Sequence, residues 1–381
     1  MARSQIDNTV NSHFSRRVFL AGAATAAGAI AVPRAFAQPA TAPADQKKLG
    51  IAMVGLGGFC MNQLMPSFVH CKLAKMVALV SGHPDKAAQQ AAKYGIDPKN
   101  IYNYDNFDTI KDNPAIDAVY IVLPNGMHAE YTIRAAKAGK HVLCEKPMAN
   151  TVEECQAMID ACAAAKKKLQ IGYRMRYDPI TLRAIELARS ATEIGTIKQI
   201  SAECGFNIGP NQWRLTKKLA GGGSLMDIGI YALHAVRYLA GEEPTDVMAI
   251  SHSTPGDPRF TEVEETISFE LAFKSGIVAS VLSTYGFGCN RFKLYGTRGQ
   301  LDSEPFQGYS GNHLWLSTRG NNKQEQKFDP FDHFAAEIDN LCACAMQDKA
   351  PLTAGEEGLK DLKVMMAAYE SARTGKSVKI V

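Results

Sequence analysis

Residues 48 to 60 read KLGIAMVGLGGFC, a short apolar strand that runs directly into a glycine-rich turn. The apolar residues at 49 to 54 lead to Gly55, Gly57 and Gly58, and the segment MNQLMPSFVHC that follows has helical character. Strand, glycine turn and helix in that order are what a dinucleotide-binding fold requires. The turn must be tight, its backbone open to a pyrophosphate, and the helix amides favour an anion. The last place of the usual G-x-G-x-x-G/A pattern holds Cys60, which is small enough for helix and strand to pack closely.

Downstream, apolar runs at Met76 to Val80, Ala118 to Leu123 and His141 to Cys144 alternate with helical stretches at Asp85 to Tyr94, Phe107 to Lys111 and His128 to Ala138. This is the βαβ rhythm of a parallel sheet. The end of the second strand bears on the cofactor. An NAD site usually has Asp or Glu there for the ribose hydroxyls, whereas this chain has Val80-Ser81-Gly82-His83 with Lys86 close behind. A hydroxyl and an ammonium suit a 2′-phosphate that a carboxylate would repel, so NADP is favoured over NAD. Without Ser81 beside it, Lys86 would read as an ordinary solvated helix residue.

Upstream, QPATAPADQK at 38 to 47 reads as an extended arm, and the first 37 residues as a leader. Ser15-Arg16-Arg17-Val18-Phe19-Leu20 is a twin-arginine signature, AGAATAAGAIAV is a weakly apolar run, and Ala35-Phe36-Ala37 fits a small-x-small cleavage site. The expectation is Tat export, cleavage after Ala37 and a periplasmic mature protein. The apolar run is too short and too weak for a retained transmembrane helix, so no membrane insertion is expected after cleavage.

With 381 residues, 46% hydrophobic and 21% charged, the composition is globular and long enough for two domains. A net charge of +4 and no basic run after residue 50 argue against a nucleic-acid partner. The nine cysteines are odd in number and form no paired Cys-x-x-Cys set, so neither a full disulfide framework nor a zinc site is expected. Buried free thiols fit folding in a reducing cytoplasm before export.

The second half, from residue 169, alternates apolar and polar residues at Ile197 to Phe206, Glu264 to Phe273, Ile277 to Tyr285 and Phe292 to Tyr295, and ends in helical stretches at Pro330 to Gln347 and Gly355 to Thr374. The fold expected is α/β: an N-terminal Rossmann domain over 48–168, then an α+β domain over 169–381 with a mostly antiparallel open sheet. Within it LMDIGIYALH places Asp227, Tyr231 and His234 four and three residues apart, on one face of a helix. Ser224-x-x-Asp227 is also a capping box, so Asp227 has a structural alternative.

The glycine turn, LPNGMHAE at 123 to 130, CEKP at 144 to 147, QWRL at 212 to 215 and AGGGSLMDIGIY at 220 to 231 together resemble the glucose–fructose oxidoreductase / inositol dehydrogenase family. The likeness runs from residue 48 almost to the end. It implies a sugar oxidoreductase, monosaccharide substrates and a homodimer or homotetramer built on the open sheet. Lys146 is implied to reach the oxygen on the reacting carbon, with Pro147 in a cis linkage. Most members have His four residues after the Asp; the glucose–fructose oxidoreductase branch has Tyr, as here. Tyr231 is then the implied acid and base, with Lys146 lowering its pKa, and Asp227 orients a substrate hydroxyl. His234 falls outside that set and reads as a packing residue.

The resemblance also implies cofactor contacts at Gly55, Gly57, Gly58 and Phe59 for the pyrophosphate, and at Ser81, Gly82 and Lys86 for the adenosine phosphate. Tyr104, Leu123, Pro124, Asn125, His128 and Glu145 are implied at the cofactor's edge, and Lys146, Arg174, Trp213, Arg214 and Tyr309 around cofactor and substrate. No metal is implied. An exported enzyme has no nucleotide pool to draw on, so tightly bound NADP recycled by a second sugar is expected. A dehydrogenase with exchangeable NADP and a noncatalytic sugar-binding protein are the alternatives; the latter should have lost Lys146, Asp227 or Tyr231.

Overall fold

The computed structural model describes residues 47–320 and 322–380. The expected leader, and all but the last residue of the expected arm, lie outside them. Six strands form the first sheet: β1 (Leu49–Val54), β2 (Ala74–Val80), β3 (Ile101–Tyr102), β4 (Ala118–Ile121), β5 (His141–Glu145) and β6 (Leu169–Gly172). All pair in parallel, in the order β3-β2-β1-β4-β5-β6. β1 is buried along its whole length, as strands covered on both faces must be. The order reverses between β1 and β4, and the crevice beyond the strands' carboxyl ends at that point is where such sheets bind ligands.

The intervening helices carry their own punctuation. Pro84 opens Pro84–Tyr94, and Gly95 closes it at φ +67°, a conformation that costs a residue without Cβ nothing. Thr151 and Glu154 form a reciprocal capping box on Val152–Ala164.

The second sheet has nine strands: β7 (Ile197–Gly205), β8 (Pro244–His252), β9 (Thr266–Phe273), β10 (Val278–Thr284), β11 (Cys289–Gly296), β12 (Gly299–Ser303), β13 (Leu314–Thr318), β14 (Gln324–Gln326) and β15 (Val378–Lys379). Their order is β14-β13-β12-β11-β7-β10-β9-β8-β15, antiparallel except where β7 meets β10. β9 alternates buried and exposed residues along its length, the signature of one covered face and one open face. Helices Ile230–Ala240 and Gly355–Thr374 cover the inner face.

The structure moves the boundary expected at residue 168. β6 begins at Leu169 and completes the first sheet, pairing Val142↔Leu169 through Glu145↔Gly172. The chain also returns late to that domain. Helix His333–Gln347 buries Phe334, Ile338, Leu341 and Cys342 in the cluster that holds Leu49, Ile51 and Met53. Its Asp339 accepts from the Lys72 and Leu73 amides at 2.7 and 2.8 Å. Each large apolar side chain buried this way contributes about 1.5–3 kcal/mol, so a segment remote in sequence is integral to the first core. All nine cysteines are free, eight of them buried. No described helix is long and apolar enough to cross a membrane.

Candidate active site

The glycine turn sits at the switch point. Gly55 has φ +95°, and a Cβ there would lie 2.5 Å from the Val122 carbonyl oxygen, so no other residue fits. Gly57 and Gly58 differ: a Cβ on Gly57 would meet nothing within 4 Å, and one on Gly58 only the Asn62 amide at 3.9 Å. Their backbone is an open cradle. The helix beyond begins as a wide π turn, Cys60–Leu64, before Met65–Ser67, a form frequent at functional sites.

The expected phosphate end assembles around this cradle. Lys86 Nζ donates to the Leu56 carbonyl inside the turn at 3.4 Å. Ser81 Oγ accepts from the His83 amide at 3.1 Å, and Gly82 lies flat on Tyr104, whose ring would be 3.0 Å from a Cβ. With no carboxylate at the tip of β2 and an ammonium beside the turn, these residues fit a nucleotide with a 2′-phosphate.

Three of the residues expected at the cofactor's edge have their side chains held in the wall. His128 is fully buried, with Nδ1 2.8 Å from the Pro147 carbonyl and Nε2 2.9 Å from that of Leu123. It staples the Lys146-Pro147 loop to the end of β4. Asn125 is buried and donates its amide to the Ala220 carbonyl at 2.8 Å, tying the first domain to the glycine segment of the second. Glu145 turns inward to the Tyr120 hydroxyl at 2.7 Å. Burial, and not sequence position, decides these directions.

Lys146, Asp227 and Tyr231 do come together. Lys146 follows β5, and Lys146-Pro147 is cis. Its Nζ donates to the Asp227 carbonyl at 2.5 Å and lies 3.8 Å from the Asp227 carboxylate. Asp227 Oδ2 also accepts from the Tyr285 hydroxyl at 3.0 Å and ion-pairs with Arg214 Nε at 2.9 Å. Burial pushes the Asp227 carboxyl up, but the cations Arg214 and Lys146 outweigh it and hold the group below its ordinary value. Arg214 in turn stacks over Trp213, 4.6 Å from its centroid.

Tyr231 departs from expectation in the cation that acts on it. Lys146 Nζ lies over the ring face, 4.6 Å from the centroid. The phenol oxygen receives Arg174 Nε at 3.2 Å. Burial raises the Tyr231 phenol to about 12, and Arg174 is the group that opposes the rise. Arg174 is the hub of the wall. It is 2% exposed, its guanidinium stacks over Tyr231 and Tyr309 at 5.0 and 4.9 Å, and it donates to the Gly308 carbonyl at 3.0 Å. Tyr309 in turn stacks on Phe59 of the glycine turn at 6.1 Å.

The helix carrying Asp227 and Tyr231 is not capped as the sequence suggests. Ser224 makes no side-chain cap, and the helix opens with a second π turn, Leu225–Gly229, before Ile230–Ala240. Asp227 therefore sits in a wide turn and not at an α-helical i, i+4 position to Tyr231. The cap comes from elsewhere: Glu264 accepts from the Gly223 amide at 2.7 Å and the Leu225 amide at 3.0 Å, and from the Tyr369 hydroxyl at 2.9 Å. Glu264 and Tyr285 are the site residues sequence reasoning missed; no local signal marks a cap that lies 39 residues from its helix.

His234 has partners of its own. It is 4% exposed, bonds Asp361 through Nδ1 and packs on Tyr173 and Tyr238, so it packs and braces, as expected. Asp361 is held also by Arg237.

Comparison with known proteins gives the family. The family model described as an oxidoreductase family with an NAD-binding Rossmann fold matches residues 49–173, and its C-terminal alpha/beta domain matches residues 190–380. The aldose–aldose oxidoreductase of Caulobacter crescentus, solved with glycerol, is 45% identical and superposes with a TM-score of 0.85, covering 87% of this chain and all of that one. The NADP⁺-dependent D-xylose 1-dehydrogenase of Haloarcula marismortui is 31% identical over 345 residues, 88% of this chain and 94% of its own. A second such enzyme, from Haloferax volcanii, is 30% identical over 86% of this chain and 98% of its own. With the switch-point cradle, the Lys146-Pro147 loop and the Asp227–Tyr231 helix in place, the chain belongs to the Gfo/Idh/MocA oxidoreductase family.

Proposed function

We propose that this protein is a periplasmic sugar oxidoreductase, exported by the Tat pathway, that holds NADP(H) tightly and works by a ping-pong cycle. One aldose, such as glucose, is oxidised at C1 to its lactone, and a second sugar is reduced: fructose to sorbitol, or an aldose to its alditol. The observation that carries the reading is Tyr231, in place of the more usual His, set beside Lys146 and Asp227. The likeness to an aldose–aldose oxidoreductase and to NADP⁺-dependent xylose dehydrogenases supports the substrate and cofactor classes.

Gly55, Gly57, Gly58, Ser81 and Lys86 would hold the cofactor, which when bound takes the C1 hydride of one sugar and returns it to the carbonyl carbon of the next. Tyr231 moves the proton. With its phenol at about 12, it carries the proton at neutral pH and is ready as the acid for reduction. For oxidation it must first be ionised, and Arg174 at 3.2 Å is the cation that lowers that cost. Lys146, kept in place by the Asp227 carbonyl, stabilises negative charge on the sugar oxygen. Asp227, fixed by Arg214 and Tyr285, orients a second hydroxyl. The open face of the nine-stranded sheet exposes Met248, Ile250, Val278 and Tyr295, which suits a homodimer or homotetramer.

The test is to purify the mature protein, denature it and measure released NADP(H), then supply glucose and fructose without nucleotide and follow gluconolactone and sorbitol. Cofactor lost on gel filtration, with activity restored by added NADP, would favour an ordinary xylose-dehydrogenase-like enzyme. A cofactor-free protein inert to aldoses would overturn the reading. Replacing Arg16-Arg17 with two lysines should keep the protein out of the periplasm.

A further inference from the structure

Behind Lys146 lies a buried acidic pair with no part in the proton transfer described above. Glu145, at the end of β5, and Glu337, on helix His333–Gln347, are 8% and 0% exposed. Both reach the phenol of Tyr120 on β4, Glu145 Oε1 at 2.7 Å and Glu337 Oε2 at 3.2 Å. A phenol has one hydrogen to donate. It cannot satisfy two carboxylates, and two ionised carboxylates sharing one oxygen in a dry interior would repel each other and leave the second contact unmade. One of the pair must carry a proton.

The surroundings decide which. Glu145 Oε2 accepts from the Lys146 amide at 3.3 Å; burial pushes the Glu145 carboxyl up, and the Tyr120 hydroxyl and the Lys146 ammonium oppose the rise. Glu337 Oε1 is buried with no hydrogen-bond partner among the described residues, an environment an ionised carboxylate would not tolerate. The cation that faces Glu337 is Arg174, but its N–H groups go to Tyr231, Gln307, Gly308 and His333. The other groups around it are neutral: Tyr177, Tyr231, and Gln170, whose Nε2 bonds the Glu337 carbonyl at 2.8 Å. Gly172 makes room for the arrangement, since a Cβ there would lie 3.0 Å from Glu145 Oε1.

We propose that Glu337 is held as a neutral carboxylic acid that donates to Tyr120, which donates to ionised Glu145, so that one buried proton fixes Glu145 and the Lys146 backbone that follows it. Glu337 is thus a positioning residue for the reaction proposed above, and this role rests on that reading. Its protonation does not. Burial pushes the Glu337 carboxyl well above its ordinary value of 4.5, and the Glu145 charge adds to the rise.

Infrared difference spectra of the full-length wild type against Glu337→Gln, at neutral pH, test the proton directly. A protonated-carboxyl C=O band, shifted in D₂O, should be present in the wild type and missing from the variant. Glu337→Ala should lower kcat about tenfold with KM little changed, and Glu337→Gln, whose amide donates in place of the acid, should restore most of it; Tyr120→Phe should resemble Ala. The melting temperature adds a readout independent of turnover. A carboxyl whose folded pKa is raised loses stabilisation as pH climbs above 4.5 toward the folded value, so the wild type should lose stability across that window relative to Glu337→Gln. No band removed by the substitution, or a Gln variant as impaired as Ala, would overturn the proposal. Failure of sugar turnover alone would strike the proposed reaction and leave the band and the melting difference standing.

Discussion

Two glycine turns lead into helices in this chain, and both helices begin with a wide π turn, Cys60–Leu64 in the first domain and Leu225–Gly229 in the second. The glycines do opposite things. At Gly57 a side chain would meet nothing within 4 Å, whereas at Gly222 it would meet the Tyr369 hydroxyl at 2.2 Å and at Gly223 the Glu264 carbonyl oxygen at 2.0 Å. The first turn is open so that a ligand can approach the backbone; the second is closed so that Glu264 and Tyr369 can grip the helix that carries Asp227 and Tyr231. The same residue type thus marks a binding surface in one place and a clamp in the other, and only the neighbours tell them apart.

The contrast can be broken or sharpened in several ways. The largest effect should come from the clamped helix: Tyr231→Phe is expected to lower kcat by about 10²–10⁴ while the protein still releases stoichiometric NADP(H) on denaturation. Next, Gly223→Ala should cost about 1–3 kcal/mol in urea unfolding, because the new methyl must displace backbone. Gly57→Ala should leave the urea midpoint unchanged and loosen cofactor retention; equal losses of stability at both sites would end the distinction.

A smaller effect concerns pH. Since Tyr231 ionises only at about 12, the single-turnover rate of aldose oxidation should climb with pH by up to about tenfold per unit, while reduction of the second sugar should not. A pH-independent oxidation rate would remove Tyr231 as the base. The smallest lies one turn along the helix from Tyr231. Burial drives the His234 imidazole down from 6.5 to about 4, so the folded state prefers it neutral and loses stability as pH falls from 6.5 toward 4. His234→Asn should keep turnover and flatten the melting temperature across that window.

Much of this was legible in the chain. KLGIAMVGLGGFC announces its strand, turn and helix because each uses local chemistry: apolar residues for a covered strand and glycines for positive φ and open backbone. The boundaries of β1 and of the helix Gly355–Thr374 fall where the apolar pattern places them. What escaped was of two kinds. The strands β3, β6, β12, β13, β14 and β15 are too short to show a period, and in β8 the exposed Met248 and Ile250 put apolar residues on the open face and blur it. The other kind was direction: Ser224 looked like a cap and is none, the side chains of His128 and Asn125 turn to backbone carbonyls, and the cation that opposes the rise of the Tyr231 phenol is Arg174 where Lys146 was expected.

By itself, then, the amino-acid order determined a glycine turn suited to a dinucleotide and a mostly antiparallel second sheet, since strand periodicity and glycine conformation are properties of short stretches, whereas Lys146, Asp227 and Tyr231 were singled out by likeness to a family. Tertiary structure alone decided what sets the charge and proton of each. Arg174 at the phenol, Arg214 and Tyr285 at Asp227, Glu264 at the helix start and Glu337 behind Lys146 all come from distant parts of the chain. Electrostatic environment depends on distance and burial in space, and neither is encoded in any one segment.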